Sequence, residues 1–221
     1  MTTHASLITD EDLPDQLAIF PLSGALLLPF GRLPLNIFEP RYLALVSDCL
    51  GQGRLMGMVQ PLGAAGETVD DTAPVYDVGC LGRVTQFTET EGGQFAIALN
   101  GLCRFRIRRE LDLHNGYRRI VPDFLEFLTD LSAPGGRLDN RAPLLDALKG
   151  YVDARALTAD WPAFDETPDA ALVTSMAMAC PFKPEEKQLL LEAGSLTARA
   201  EQLQAILEMA VHEQTSTAAR H

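Results

Sequence analysis

Short apolar runs separated by turn residues fill the chain from residue 17 to residue 127, a spacing typical of β-strands. Residues 17–22 predict a strand that ends at a Ser-Gly turn. Residues 33–38 predict a second strand, and Pro34 within it indicates a sheet edge or a bulge. The period then changes. Pro40 predicts the start of a helix, because proline is favoured at the first helical position, and apolar side chains follow at helical spacing at Tyr42, Leu45, Val46 and Cys49.

The strand pattern resumes after this helix. Gly92-Gly93 and Asn115-Gly116 predict hairpin turns, because these residues reach positive φ more readily than others. Asn100-Gly101 interrupts an apolar run and predicts a bulge or a bend. The strands expected in this part of the chain cover residues 55–59, 78–88, 95–99, 102–109 and 117–127.

A Ser-Ala-Pro-Gly-Gly stretch at 132–136 marks a change in composition, and helical periodicity follows it almost to the end of the chain. Ser195 predicts the N-cap of the last helix. The sequence therefore predicts an α+β fold, with a β-domain that holds one early helix and then a small helical bundle. The expected divisions are a disordered leader at 1–15, the β-domain at 16–131, the helical part at 132–214 and a disordered tail at 215–221.

The charge of the chain narrows the function. A net charge of −12 and a pI near 4.7 suit a cytoplasmic protein and argue against general affinity for nucleic acid or anionic membranes. The three lysines are followed by Gly150, Pro184 and Gln188, so the chain has no G-x-x-x-x-G-K-[ST] phosphate loop.

Reactive groups are few and scattered. The four cysteines form no C-x-x-C pair and are predicted to be buried, reduced thiols. Because the histidines are far from the cysteines in sequence, we expect neither a metal site nor a cofactor. Cys103 lacks a neighbouring base, and Asp112 and His114 fall in a turn without a visible partner. No catalytic residue is therefore predicted.

Three stretches in order resemble the N-terminal, substrate-binding domain of Lon-type ATP-dependent proteases. They are IFPLSGALLLPFGRLPLNIFEPRY, then VYDVGCLGRVTQF with ALNGLCRFRI, and finally ALVTSMAMACPFKPEEKQLLLEAGSLTARAEQLQAIL. The NIFEPRY form looks most like bacterial proteins that carry this module alone. The resemblance implies a PUA-like β pseudo-barrel followed by a small helical subdomain. It also implies a non-enzymatic module that recognises unfolded or damaged polypeptide, and a separate protease or chaperone is a further candidate partner.

This resemblance suggests where a polypeptide client would bind. A groove between the β-domain and the helical part is one expectation, because ligands commonly bind at such junctions. Phe30, Phe38 and Tyr42 are candidate apolar anchors, although packing in the core is the favoured interpretation for all three. Glu39 and Arg41 are candidate polar contacts. Their alternative role is structural, with a carboxylate at the helix N-terminus and an arginine tied to the β-domain.

Two other functions stay open at this point. RNA binding would use an arginine face, because arginine suits phosphate, although a solvent-facing strand surface paired with the acidic loop at 63–74 is the favoured interpretation. A small-ligand or hydrolase site would need a deep cleft with convergent polar groups. The residues of the candidate RNA-binding face are Arg104, Arg106, Arg108 and Arg118, extended by Arg109 and Arg119.

Overall fold

A computed structural model describes residues 9–63, 72–132 and 136–218. The chain divides into two compact units, which we call unit 1 (Met1–Ala133) and unit 2 (Pro134–His221). Within the described residues, unit 1 contains the β-sheet, one α-helix and two short 3-10 helices, and unit 2 contains the other α-helices. The predicted α+β class is confirmed.

The described part of unit 1 contains six strands and helix α1 (Pro40–Gly51). The strands pair in the order β2-β5-β4-β3-β1-β6, and β6 also pairs with β5. Five strands therefore form a closed ring of pairings, while β2 is attached to its outside through β5 alone. The strands are β1 (Leu17–Pro21), β2 (Arg32–Ile37), β3 (Leu55–Val59), β4 (Val78–Thr90), β5 (Gln94–His114) and β6 (Tyr117–Asp123). A closed ring is what a pseudo-barrel requires; the PUA-like assignment itself stays a prediction.

The predicted edge position of the proline-bearing strand is confirmed. Pro34 lies in the middle of β2, opposite Ala98 of β5. Because proline has no N–H to give to a ladder, a strand that carries it is tolerated at an edge. The predicted helix start at Pro40 is also confirmed, and the side chains expected to face inward are buried, namely Tyr42, Leu45, Val46 and Cys49.

Strand β5 is a single strand of 21 residues, although the sequence predicted two. Leu81 pairs with Cys103 and Gly82 with Gly101, so one residue of β5, Leu102, has no partner and forms a bulge. At Gly101 a Cβ atom would lie 2.0 Å from the backbone oxygen of Leu28. Glycine at this position therefore lets the segment before β2 lie directly against the bulge.

The predicted end of the last strand, at residue 127, is wrong. Strand β6 stops at Asp123 rather than at residue 127, and a 3-10 helix follows it at Leu125–Leu131. The turn forms because the Asp123 carboxylate accepts a hydrogen bond from the Leu125 N–H at 3.0 Å. Phe127 of this 3-10 helix is buried, which explains why its apolar pattern resembled a strand.

Five helices lie within the described residues of unit 2, in the stretch where the sequence predicts helical periodicity. They include α3 (Trp161–Glu166), α4 (Asp169–Ala179) and α5 (Pro184–Glu192). The Ser195 cap is confirmed, since its Oγ accepts the Ala198 N–H at 3.1 Å. The remaining helices are α2 (Ala142–Ala154) and α6 (Leu196–Ala218).

Both segments that were expected to be disordered, 1–15 and 215–221, are partly ordered in the described residues. Residues 10–12 of the predicted leader form a 3-10 turn closed by the Thr9 and Asp12 side chains, whereas residues 1–8 lie outside the described residues. Helix α6 continues into the predicted tail as far as Ala218. The other domain divisions stay predictions.

Candidate functional site

Phe30 lies on the surface immediately before β2. Half of its area is exposed, at 51%, so the favoured interpretation of core packing is wrong for this residue. Its backbone has a φ of 63°, a left-handed conformation that costs a non-glycine residue about 1–2 kcal/mol. The Phe30 N–H donates to the Gly101 oxygen at 2.9 Å, and the Gly101 N–H donates to the Gly31 oxygen at 2.8 Å. The β5 bulge therefore holds this aromatic ring in an exposed position.

Phe38 lies at the other end of β2 and is 61% exposed, so core packing is wrong here as well. A strand rises about 3.3 Å per residue, which separates the two phenylalanine backbones by roughly 25 Å. They therefore lie at opposite ends of β2 and not in one compact patch.

The side chains between these two rings are partly open. Leu33 and Leu35 project from one face of β2 and are half-buried. Leu35 lies opposite Ile97 of β5, which in turn lies opposite Phe87 of β4. The ring of Phe87, 37% exposed, packs edge-on against Phe95 with centroids 4.9 Å apart. We call the apolar side chains on and beside β2 the β2 surface and define this set by Phe30, Leu33, Leu35, Phe38, Phe87 and Phe95. Because side chains alternate along a strand, Phe38, one residue beyond Ile37, lies toward the face opposite Leu33 and Leu35.

Tyr42 belongs to the core, as the favoured interpretation predicted. It is buried, and its ring packs edge-on against Phe20 with centroids 4.2 Å apart. Burial raises the pKa of its hydroxyl. Tyr42 is therefore removed from the set of surface anchors.

Glu39 and Arg41 bind each other at the head of α1. The Arg41 Nη2 and Nε donate to Glu39 Oε2 at 2.8 and 3.0 Å, and the guanidinium lies 4.6 Å above the Tyr42 ring. Glu39 caps no backbone N–H of the helix with its side chain. Both charged groups are half-buried, and Glu39 directly follows Phe38 in the chain.

The arginine face is solvent-facing only in part: Arg106 and Arg108 are exposed, as expected, whereas Arg104 and Arg118 are buried. Arg104 is only 6% exposed, and its guanidinium forms two hydrogen bonds, of 2.8 and 2.9 Å, to Asp130. The 3-10 helix after β6 brings this carboxylate back over β5, which no local pattern indicates. The expected partner loop at 63–74 lies largely outside the described residues. The other carboxylate partners are Glu126 for Arg106, Asp123 for Arg108 and Glu110 for Arg118. Arg118, like Arg104, is only 6% exposed.

The thiols have the environment of structural cysteines. All four are free and buried. Burial raises the pKa of Cys49 and of Cys103 to about 12, so these thiols are almost fully protonated near neutral pH. Burial also raises the pKa values of Cys80 and Cys180. A thiolate nucleophile at these positions has no physical support.

His114 does have a partner, contrary to the sequence interpretation. Its Nε2 lies 3.7 Å from Oδ2 of Asp48, on α1, which is remote in sequence. That oxygen also accepts hydrogen bonds from the Tyr117 hydroxyl at 2.8 Å and the Asn115 amide at 2.9 Å. The two donors lower the pKa of the Asp48 carboxyl.

Within residues 9–63, 72–132 and 136–218, no three His, Cys, Asp or Glu side chains are arranged to hold a metal ion. No helix in the described part of the chain has the length and apolarity that crossing a membrane requires.

Comparison with known proteins supplies the family. A model of the "ATP-dependent protease La (LON) substrate-binding domain" matches residues 16–209. Lon protease 2 of Myxococcus xanthus is 28% identical over 198 residues, which are 87% of this chain and 23% of that protein. Lon protease 2 of Sorangium cellulosum is 32% identical over 129 residues, 56% of this chain and 16% of that protein. The chain thus spans less than a quarter of the length of these two relatives.

Two solved structures share the fold of this chain. A Lon N-terminal domain protein from Xanthomonas campestris superposes with a TM-score of 0.61 at 24% identity, covering 86% of this chain and 97% of that one. The N-terminal domain of the Mycobacterium avium complex Lon protease gives a TM-score of 0.59 at 15% identity, with coverages of 87% and 97%. By its sequence match over most of its length, the chain belongs to the Lon substrate-binding domain family.

Proposed function

We propose that this protein is a non-enzymatic polypeptide-binding module that holds unfolded segments on the β2 surface. The observation that carries the proposal is the exposure of two phenylalanines, at 51% and 61%, on either side of an edge strand in a substrate-binding family. Exposed aromatic rings are suited to this role, because aromatic anchors supply much of the energy of protein contacts.

The shape of the β2 surface supports an extended client. The nine residues from Phe30 to Phe38, which include β2, span roughly 25 Å, the length of about seven or eight extended residues. The half-buried Leu33 and Leu35 lie between the two phenylalanines along the chain and offer apolar contact on one face of β2. The expected groove between the two units stays a prediction, as do the stand-alone form, the cytoplasmic location and cooperation with a separate protease or chaperone.

The RNA-binding alternative receives no support from the arrangement of its arginines. Each of Arg104, Arg106, Arg108 and Arg118 is paired with a carboxylate of unit 1, and two of them are buried. A phosphate would have to displace these partners. We therefore do not propose nucleic acid as a ligand.

A double variant, Phe30→Ser with Phe38→Ser, tests the proposal. The probe is a reduced, alkylated and permanently unfolded protein with a fluorescent label, titrated at high salt to suppress charge attraction. We expect binding by the parent chain at tens of micromolar or tighter and a loss of about tenfold or more in the double variant.

The matched control is Leu113→Ser, which removes another exposed apolar side chain of unit 1, located near the far end of β5. Circular dichroism checks that all variants are folded. Absence of binding by the folded parent, or equal losses in the control and the double variant, would contradict the proposal.

A further inference from the structure

A small pocket of about 80 Å³ lies in unit 1, where the start of β1, the second half of α1 and the start of β6 meet. Its volume has room for several water molecules and thus for a head group of a few heavy atoms. The residues that line it include three leucines and three polar side chains, namely Leu17, Leu45, Leu55, Gln16, Asp48 and Gln52.

The carboxylate of Asp48 is fixed on one side and open on the other. Its Oδ2 accepts the hydrogen bonds of Tyr117 and Asn115 and faces His114, as described above. Its Oδ1 accepts no hydrogen bond from the described residues. Because the pKa of this carboxyl is lowered, Asp48 carries its negative charge at neutral pH. No lysine or arginine lines the pocket, so no fixed cation there neutralises this charge.

The two glutamines complete a set of acceptors. The side chains of Gln16 and Gln52 form no hydrogen bond within the part of the chain that the structure describes, and both lie at the exposed rim of the pocket. Their amide oxygens and Asp48 Oδ1 together offer three acceptors, one of them charged. An ammonium group presents three N–H donors and no acceptor. We propose that this pocket binds a primary ammonium group carried on an alkyl stem.

The rest of the pocket fits such a ligand. The leucine side chains supply apolar walls for methylene groups, as they do for lysine stems that lie along protein surfaces. The net charge of −12 raises the local concentration of cations near the protein. A quaternary ammonium group has the same charge but no N–H donors, so it should bind poorly. This site is separate from the β2 surface and does not depend on the proposed function.

The first experiment uses n-butylammonium as the probe, titrated into the full ¹⁵N-labelled chain and followed by two-dimensional NMR. We expect saturable shifts of the Gln16 and Gln52 side-chain amides. The butyltrimethylammonium ion should bind about tenfold more weakly or worse, because it cannot donate a hydrogen bond to the carboxylate. Asp48→Asn keeps the shape of the side chain and should weaken butylammonium binding by about tenfold.

Two peptides distinguish the biological sources of the ammonium group. One has a free α-amine and no lysine, and the other is N-acetylated and contains one lysine. Shifts at Gln16 and Gln52 with the first peptide alone assign the pocket to polypeptide N-termini, and shifts with the second alone assign it to lysine side chains. If butylammonium binds and neither peptide does, the ligand is a free small amine.

The matched control is Asp146→Asn, which neutralises an exposed carboxylate of unit 2. Butylammonium shifts that are spread evenly over surface carboxylates, or that persist unchanged in Asp48→Asn, would overturn the proposal. Equal affinity for the trimethyl probe would overturn it too. Amide spectra that match those of the parent chain away from the pocket show that each variant is folded.

Discussion

The β2 surface and the two buried arginines, Arg104 of β5 and Arg118 of β6, reverse the usual distribution of side chains within the same unit. Phe30 and Phe38 lie mostly outside, and Arg104 and Arg118 lie almost entirely inside. The arginines are buried because carboxylates satisfy them, whereas nothing in the described residues covers more than half of either phenylalanine. A buried charge with a partner is explained by the fold alone. The exposure of two large aromatic rings has no such explanation in the described residues, and this difference directs the functional proposal to the β2 surface.

The largest expected effect on stability comes from removing the carboxylate partner of a buried arginine. Asp130→Ala removes both hydrogen bonds to the Arg104 guanidinium and leaves that charge buried without its carboxylate. Removing one partner of a buried ion pair typically costs about 3–5 kcal/mol. We expect a loss of this size in the free energy of unfolding, measured by urea denaturation.

Glu126→Ala is the control for this prediction. It breaks the neighbouring pair with Arg106, whose 2.8 Å contact is about half exposed on both sides. Exposed pairs contribute about 0–1 kcal/mol. If the two variants lose similar amounts of stability, burial of Arg104 does not determine the strength of its pair.

These pairs also show where sequence reasoning stops. Helix α1 was predicted correctly because its start signal and its buried stripe are both local, and the cap at Ser195 was predicted for the same reason. The burial of Arg104 depends on Asp130, which is 26 positions away and reaches it only because β6 ends in a 3-10 helix. A pattern of alternating residues assigns faces to a strand, but it cannot show what will cover each face.

The exposure of Phe30 has a similar non-local origin. The sequence gives an apolar residue next to a glycine in a run of leucines, which is typical of a core turn. The orientation of the ring is set by hydrogen bonds to Gly101, about 70 residues later. The candidate residues of the β2 surface on β4 and β5 were missed because only the sheet register brings Phe87 and Phe95 next to Leu35.

A smaller effect on stability is expected from Phe30→Gly, which removes one of the exposed rings. Glycine adopts the observed φ of 63° without the cost of about 1–2 kcal/mol that a side chain incurs, but it gains more freedom in the unfolded chain, about 0.5–1 kcal/mol. The net result should be a free energy of unfolding that is unchanged or raised by up to about 1 kcal/mol.

The same Phe30→Gly variant should bind the unfolded probe more weakly, so that stability and binding change in opposite directions. Urea denaturation and fluorescence titration on one preparation measure both. A loss of stability would show that the Phe30 ring packs against its own unit, which would weaken its assignment as a client anchor. Phe30→Ala separates loss of the ring from relief of the backbone conformation.

The smallest expected effect on stability concerns Asp48. The exposure of its pair with His114 is intermediate between that of the buried and the exposed ion pairs. Hydrogen bonds from Tyr117 and Asn115 lower its pKa in the folded state below the ordinary value of 3.8. A carboxyl whose pKa is lower in the folded than in the unfolded state contributes stability above its unfolded pKa. That contribution is lost as the pH falls through the folded pKa. The parent chain should therefore be more stable than Asp48→Asn at pH 7, and the gap should close on acidification.

Urea denaturation of both chains between pH 7 and pH 3 measures this gap. His114 faces the same carboxylate oxygen, so the series is repeated in a His114→Gln background to separate its charge from that of Asp48. Asp146→Asn, in an exposed pair with Lys149, should show almost no gap at any pH, because such pairs contribute little. A gap for Asp48→Asn that widens at low pH would mean that the folded state disfavours the ionised carboxyl. In that case the hydrogen bonds from Tyr117 and Asn115 would not stabilise the Asp48 carboxylate, and the proposed ammonium pocket would lose its support.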